Sequence, residues 1–157
     1  MTVHDIMSAP PRTCRVDTNL ATASARMKHT ATGMLVVLNN RGRIAGVITD
    51  RDLAMAIGAT SQGDVREHHV GEFMTRRVHS CRAADAIDRA LHTMTAAHIR
   101  RLPVLGEDGD LVGVLSIDDI ILWAVQRRGV SATALAGALR GICLPRPAEE
   151  DADAPGW

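Results

Sequence analysis

The chain has 157 residues, 46% of them apolar, and its 18 basic residues balance its 18 acidic residues. This predicts one or two small globular domains, with no net field to attract nucleic acid or an anionic membrane. The longest apolar runs, such as residues 34–38, are far shorter than the roughly 20 residues of a bilayer span. The amino-terminal residues lack a secretory signal pattern, so we expect a cytoplasmic protein without nucleic-acid or membrane partners.

Cysteines and aromatic residues are both rare. Cys14, Cys81 and Cys143 are too widely spaced for a zinc-binding Cys-x-x-Cys motif or a disulfide scaffold. We expect reduced thiols, and a bridge from Cys143 to Cys14 or Cys81 is the alternative. With one phenylalanine, two tryptophans and no tyrosine, the chain also lacks the aromatic residues on which single-stranded nucleic acids stack.

An internal repeat organises the sequence. Met74 follows Met7 by 67 residues, and this shift holds without a gap along both halves of the chain. Among the further pairs that it superposes are Cys14 and Cys81, Leu35 and Leu102, and Gly46 and Gly113. Each repeat unit is too small to form a stable domain by itself, so we expect the two units to pack on each other.

The first repeat predicts five elements in order. An extended piece precedes a helix in which Leu20, Ala23 and Met27 recur at helical spacing. Two strands joined by an Asn- and Gly-containing turn follow, and a second helix ends at Gly58, a good C-cap residue. The predicted elements are residues 12–16, 18–30, 34–38, 43–48 and 50–58.

The second repeat predicts the same order, followed by an extra helix. The elements of this repeat are residues 78–82, 85–98, 102–105, 110–115 and 117–129, the last ending at Gly129. Residues 131–143 predict an amphipathic helix with Ser131 as its N-cap. We therefore divide the chain into a first domain, a linker, a second domain, an extra helix and a disordered acidic tail, at residues 1–58, 59–69, 70–129, 130–144 and 145–157.

Each repeat carries the same hydroxyl and aspartate motif after its last strand. The pair is Thr49 with Asp52 in the first repeat and Ser116 with Asp119 in the second. A serine or threonine three residues before an acidic residue is the capping box of a helix N-terminus, in which side chains satisfy amides that lack a helical partner. The pattern is common, so by itself it predicts a helix start and no more.

The repeated β-α-β-β-α unit resembles the CBS domain, named after cystathionine β-synthase. The resemblance covers residues 1–128 and rests on motifs in the same order in both repeats: "DIM" or "EFM" at the start, and G-h-h-[TS]-x-x-D at the end, where h is apolar. The second repeat adds "RRLPVLGEDGDLVGVLS" in its middle. The resemblance implies an α+β fold, a stand-alone Bateman module whose two CBS units pack with pseudo-twofold symmetry through their sheets and leave two clefts.

The resemblance also implies a ligand at the repeated motif. CBS pairs commonly bind adenosine compounds, namely AMP, ADP, ATP, NAD or S-adenosylmethionine. In the family the aspartate takes the ribose hydroxyls and the hydroxyl residue meets a phosphate, which assigns these roles here to Asp52 and Asp119, and to Thr49 and Ser116. A carboxylate can accept both donors of a vicinal diol, and a helix N-terminus favours a phosphate.

The two clefts are expected to differ. Arg100 and Arg101 occupy the positions that Gly33 and Met34 hold in the first repeat, so only the second repeat brings two fixed cations suited to phosphate oxygens. The alternative is that these arginines are solvated or pair with nearby carboxylates. The candidate carboxylates are Asp108, Asp110 and Asp118.

Other polar residues have both a functional and a structural interpretation. Thr13 and Ser80 occupy positions where the family often lines the adenine pocket, although strand packing also explains them. His68 and His69 have no acidic or sulfur partner at ligand spacing, so we expect exposed linker residues and no metal site.

These patterns favour a non-catalytic sensor. An adenosine compound would settle in the cleft between two CBS domains and change how the module packs with itself or with an unidentified protein partner. The alternative is a ligand-free module for dimerisation or protein interaction. An enzyme is least favoured, because no catalytic motif or phosphate-binding loop is recognisable. The apolar second helices, at residues 53–57 and 119–125, predict a homodimer.

Overall fold

The structure, a computed structural model, describes residues 1–59, 64–127 and 132–144. Within these ranges the strands are β1 (Thr13–Arg15), β2 (Met34–Leu38), β3 (Ile44–Thr49), β4 (Cys81–Arg82), β5 (Arg101–Leu105) and β6 (Leu111–Ser116). The α-helices are α1 (Leu20–Thr30), α2 (Asp50–Ala59), α3 (Val70–Phe73), α4 (Ile87–Ala96), α5 (Ile117–Arg127) and α6 (Ala132–Cys143), and a 3-10 helix covers Val3–Asp5. The α+β class is therefore confirmed.

The strands form two three-stranded sheets of the same topology. In each sheet the first strand pairs parallel with the middle strand, and the middle strand pairs antiparallel with the third. Met34 on β2 pairs with Thr49 on β3, and Arg101 on β5 pairs with Ser116 on β6. The register therefore places each repeated motif beside the start of its middle strand.

The chain divides into two compact units, and each contains residues from both repeats. The described residues of the β1–β3 unit are 12–59 and 64–78, and those of the β4–β6 unit are 1–11, 79–127 and 132–144. The opening segment of each repeat, residues 1–11 and residues 70–78, thus packs in the unit that holds the other repeat's sheet. We call these two the exchanged segments. The 67-residue repeat gives no sign of this exchange, because the pattern is the same whichever sheet the segment joins.

Each unit buries its own apolar cluster, and the helical spacing seen in the sequence accounts for part of it. Leu20, Ala23 and Met27 are the buried residues of α1, as predicted. The amino-terminal Val3 is fully buried in the cluster of the β4–β6 unit, and Val70 is fully buried in the cluster of the β1–β3 unit. These two valines anchor the exchanged segments through the burial of apolar surface.

Helix ends differ in places from those predicted. The expectation that Gly58 caps α2 is wrong, because the helix continues to Ala59 and leaves Gly58 inside its last turn. Helix α4 ends at Ala96, two residues before the predicted end, because His98 adopts a left-handed conformation with φ of 50°. The predicted caps Gly129 and Ser131 lie outside the described residues.

The extra helix is confirmed as α6. Its Ala138 and Ile142 are buried in the cluster of the β4–β6 unit, and His98 Nδ1 lies 2.8 Å from the carbonyl oxygen of Gly141. The predicted disordered tail, residues 145–157, falls outside the described part of the chain, as do residues 60–63 of the linker. No helix within the described ranges has the length and apolar character to cross a bilayer.

Candidate functional site

Both hydroxyl and aspartate motifs form complete capping boxes. Asp52 Oδ2 accepts hydrogen bonds from the amide and from Oγ1 of Thr49, each at 2.8 Å, and the Asp52 amide donates to Thr49 Oγ1 at 3.2 Å. Ser116 and Asp119 make the same three bonds at 2.8, 2.6 and 3.1 Å. The predicted helix starts are therefore confirmed, with the hydroxyl and one carboxylate oxygen of each motif already engaged.

The capping boxes leave the second oxygen of each carboxylate open to further contacts. Asp52 Oδ1 accepts no hydrogen bond from any residue that the structure describes. Asp119 Oδ1 lies 3.4 Å from Ser8 Oγ, which is a long contact. Because an ionised carboxylate offers about four lone-pair positions, each motif can serve as a helix cap and still accept donors from a ligand.

The two arginines of the second repeat have different surroundings. Arg101 lies directly across the β5–β6 ladder from Ser116, and its half-buried side chain places Nη2 3.9 Å from Oδ2 of the exposed Asp118, a long ion pair that contributes little stability. Arg100 Nη2 instead lies 3.7 Å from Cys143 Sγ at the end of α6. The register thus brings Arg101 beside the capping box, while the Arg100 side chain contacts α6.

Thr13 and Ser80 lie at the same end of their sheets as the capping boxes. Thr13 opens β1 and pairs with Val36, near the start of β2 where Thr49 pairs with Met34. Ser80 immediately precedes β4 in the other unit. No hydrogen bond within the described chain joins either hydroxyl to a capping box, so their contact with a ligand stays a prediction.

The structure adds a residue that the sequence patterns missed. Ser8 forms backbone hydrogen bonds with Val114 at 2.9 and 3.0 Å, which hold its hydroxyl near Asp119. Thr75, the residue that matches Ser8 under the 67-residue shift, pairs with Val47 in the same way. In the sequence, these residues are marked only as hydroxyl residues that directly follow the repeated methionine. The position of each hydroxyl residue beside the other repeat's motif depends on the exchange of segments.

The same pairing explains the glycine at the start of each G-h-h-[TS]-x-x-D motif. A Cβ atom on Gly46 would lie 2.7 Å from the Thr75 carbonyl oxygen, and one on Gly113 would lie 3.0 Å from that of Ser8. Real Cβ atoms rarely approach a backbone oxygen so closely. Glycine is therefore required because the exchanged segment crosses the strand at this point.

Cys14 and Cys81 each lie in the apolar cluster of their own unit. They are 2% and 6% exposed, and burial raises the pKa of Cys14 to about 11 and that of Cys81 to about 12. Both thiols are therefore protonated at neutral pH and lack the thiolate character of a nucleophile. All three cysteines are free, Cys143 being the exposed one, so the structure does not contain the alternative bridge.

Alkaline pH is expected to destabilise the protein through these two thiols. The pKa values of both thiols in the folded state lie above the ordinary value of 9.0. The stability that the protonated thiols contribute is therefore complete below pH 9 and is lost as the pH rises through the folded values. At pH 10 the free energy of unfolding should fall by about 1.4 kcal/mol per thiol. Urea unfolding at pH 8 and pH 10 measures this change.

The composition leaves few other side chains that could contribute to this change in the free energy of unfolding. The chain has no tyrosine and one lysine, and its third thiol, Cys143, is present in both the parent and the variant that is compared with it. A Cys14→Ala, Cys81→Ala double variant is less stable at pH 8, but its free energy of unfolding should change less between the two pH values. Equal slopes for the variant and the parent would show that these thiols are not the cause.

The interpretation of His68 and His69 needs correction, because an acidic partner is present. Glu72 Oε1 accepts the His69 amide at 2.7 Å, and Glu72 Oε2 lies 3.2 Å from His68 Nδ1. The backbone hydrogen bond from His69, followed by the hydrogen bond with His68, lowers the pKa of Glu72. The short helix α3, which was not predicted, brings Glu72 back to the histidines. In the described part of the chain, no group of three or more His, Cys, Asp or Glu residues could hold a metal ion.

Removing one capping hydroxyl should reduce stability without any ligand present. Ser116→Ala eliminates the hydroxyl that accepts from the Asp119 amide, and we expect a loss of about 1 kcal/mol in the free energy of unfolding. Ser80→Ala is the control, with an expected change of about 0.5 kcal/mol or less, because Ser80 makes no such bond in the described chain. Urea unfolding compares them, and equal losses would contradict the capping role.

Comparison with known proteins agrees with the geometry. A model of the CBS domain matches the chain twice, over residues 3–59 and 70–125. An uncharacterised 17.7 kDa protein of Acidianus ambivalens is 33% identical over 101 residues, which are 64% of this chain. The match spans 59% of that relative, so the chain covers less than two thirds of its length.

Solved structures show the same fold. The CBS domain pair of protein MJ0100, in complex with 5'-methylthioadenosine and S-adenosyl-L-methionine, has 25% identity and a TM-score of 0.69, and the similarity covers 81% of this chain and 98% of that one. The CBS domain protein PAE2072 of Pyrobaculum aerophilum, complexed with AMP, has 18% identity and a TM-score of 0.71 over 89% of this chain and 99% of its own. Together with the two matches to the CBS family model, these similarities show that the chain belongs to the CBS domain family and carries a tandem pair of CBS domains.

Proposed function

We propose that this chain is a non-catalytic regulatory module that binds an adenosine-containing ligand where a strand meets a helix in its CBS domains. The ligands considered are AMP, ADP, ATP, NAD and S-adenosylmethionine. The MJ0100 pair, whose complex contains S-adenosyl-L-methionine and 5'-methylthioadenosine, supports this chemical class.

The arrangement around Asp119 carries the proposal. Its Oδ2 closes the capping box, and among the described residues its Oδ1 has only the long contact with Ser8 Oγ. A ribose diol supplies two donors, which this oxygen can accept as acidic residues do in dinucleotide-binding folds. The N-terminus of α5 and the neighbouring Arg101 add positive potential for a phosphate or for a ligand carboxylate.

The two units should differ in affinity. Asp52 Oδ1 accepts no hydrogen bond from the described residues, but the residue across the ladder from Thr49 is Met34, which is buried and uncharged. The β1–β3 unit therefore lacks the guanidinium that Arg101 supplies in the other unit. We place the tighter site in the β4–β6 unit, with Ser116, Asp119 and Arg101 as its principal residues.

A panel of the five adenosine compounds tests the proposal. A ligand present at one hundred times its dissociation constant should add about 2.7 kcal/mol to the free energy of unfolding, which appears as a rise in melting temperature. Native mass spectrometry should then show the corresponding mass increment on the protein. If none of the five compounds binds in either measurement, the sensor proposal is wrong and the ligand-free assembly module replaces it.

Assembly as a homodimer is the second proposal, because the second helix of each repeat exposes large apolar side chains. Met55 and Ile57 on α2 are 45% and 51% exposed, and Leu122 on α5 is 62% exposed. Such side chains are typical of interfaces. We expect light scattering at micromolar concentration to give twice the chain mass, and Leu122→Glu to shift the protein toward monomer. A parent protein that is monomeric throughout contradicts the proposal.

A further inference from the structure

A cavity of about 540 Å3 lies in the β4–β6 unit, away from the capping box. Its lining comes from the amino-terminal segment, the end of β4, and the β5–β6 turn with the adjoining Val112. Val112 is the second residue of β6, whereas Ser116 is the last, so the cavity and the motif lie toward opposite ends of this strand, roughly 13 Å apart. The volume falls within the usual range of small-molecule sites.

The cavity combines apolar surface with two opposite charges. Met7, Leu105 and Val112 are half-buried and supply the apolar part of its lining. Arg82 and Glu107 are exposed and also line it. Neither the guanidinium nor the carboxylate makes an ion pair or a side-chain hydrogen bond with any residue in the described ranges. Two opposite charges without partners are thus available beside apolar surface.

The equivalent arginine of the other unit provides an internal comparison. Arg15 corresponds to Arg82 under the 67-residue shift, and it follows the same register at the end of its parallel strand. Arg15 Nη2 donates a hydrogen bond to Asn40 Oδ1 at 2.9 Å, and its Nε lies 3.7 Å from Asp17 Oδ1. This guanidinium is therefore occupied by its own unit.

The sequence differences between the repeats remove those partners around Arg82. Glu107 replaces the asparagine that binds Arg15, and Ala84 replaces the aspartate. Ala83 stands where the other repeat has Val16, which reduces the volume of side chain at the cavity. The second repeat has thus lost a neutralising contact and gained both space and a carboxylate at one place.

We propose that this cavity binds a free α-amino acid with a large apolar side chain. Arg82 suits the planar carboxylate of the ligand, Glu107 suits its ammonium group, and the apolar residues cover its side chain. A nucleotide fits less well, because Glu107 would repel its phosphates. A purely apolar molecule would leave both charges without partners. This proposal does not depend on adenosine binding, since the capping box lies at the other end of β6.

Calorimetric titration with L-leucine, L-methionine, L-phenylalanine and L-tryptophan tests the proposal. At least one should bind the parent protein with a dissociation constant of about 1 mM or lower. N-acetyl-L-phenylalanine, which lacks the ammonium group, and 2-phenylethylamine, which lacks the carboxylate, should each bind about tenfold or more weakly than L-phenylalanine, if L-phenylalanine binds.

Variants assign the binding to the cavity. Arg82→Gln should weaken amino-acid binding about tenfold or more, and Glu107→Gln should weaken it in the same direction. The matched control Arg15→Gln should leave the amino-acid affinity within about twofold of the parent. Circular dichroism verifies that each variant is folded. The proposal is overturned if no amino acid binds, or if Arg82→Gln binds as tightly as the parent.

Discussion

Asp119→Asn is expected to weaken the binding of the adenosine compound that the panel identifies by about tenfold to more than a hundredfold. This corresponds to about 1.5 to 3 kcal/mol, the usual value of hydrogen bonds to a charged acceptor. Asparagine can still accept the Ser116 amide and hydroxyl through its amide oxygen, so the cap is retained. The atom in place of Oδ1 becomes a donor, which cannot accept ribose hydroxyls. Calorimetry measures the affinity, and urea unfolding checks that the ligand-free protein loses little stability.

Asp52→Asn is the matched comparison in the other unit. It makes the same change beside Met34 instead of Arg101, so we expect a smaller loss of total binding. A larger effect from Asp52→Asn would reverse the assignment of the tighter site. If both variants bind all five adenosine compounds as tightly as the parent, Thr49–Asp52 and Ser116–Asp119 are helix caps and nothing more.

Gly46→Val is expected to lower the free energy of unfolding by about 3 kcal/mol or more, a large overpacking effect. Its Cβ would lie 2.7 Å from the Thr75 carbonyl oxygen and 2.8 Å from Met74 Sδ. The backbone oxygen is held by the hydrogen bond from the Val47 amide at 3.0 Å, so it cannot move without breaking the pairing of the exchanged segment. Urea unfolding of the ligand-free protein measures the loss.

Gly58→Val is the control for this substitution. Gly58 lies in the last turn of α2 and a Cβ there meets no atom of the described residues within 4 Å, so the expected change is about 0.5 kcal/mol or less. Comparable losses in the two variants would show that valine at these glycines acts through the backbone in general. The approach of Thr75 to Gly46 would then carry no special cost.

Sequence patterns determined the fold class and most of the elements, because these depend on local order. The spacing of Leu20, Ala23 and Met27 identifies the buried face of α1, and the continuous apolar run of β2 indicates a buried strand. The pair of Ser116 and Asp119 predicts a helix start whose bonds span three residues. In these cases the partners are neighbours in sequence, so spacing is sufficient to place them.

Tertiary structure alone decided which distant residues meet. Arg100 and Arg101 are adjacent and chemically identical, yet the register places one beside Ser116 and the other against Cys143. Ser8 reaches Asp119 across 111 positions of the chain. Such contacts depend on strand pairing and on the exchange of the opening segments, which a repeat with identical spacing in both halves leaves undetermined. The sequence therefore specified each helix start and the kind of residues at the candidate site, while long-range packing selected the groups left free to meet a ligand.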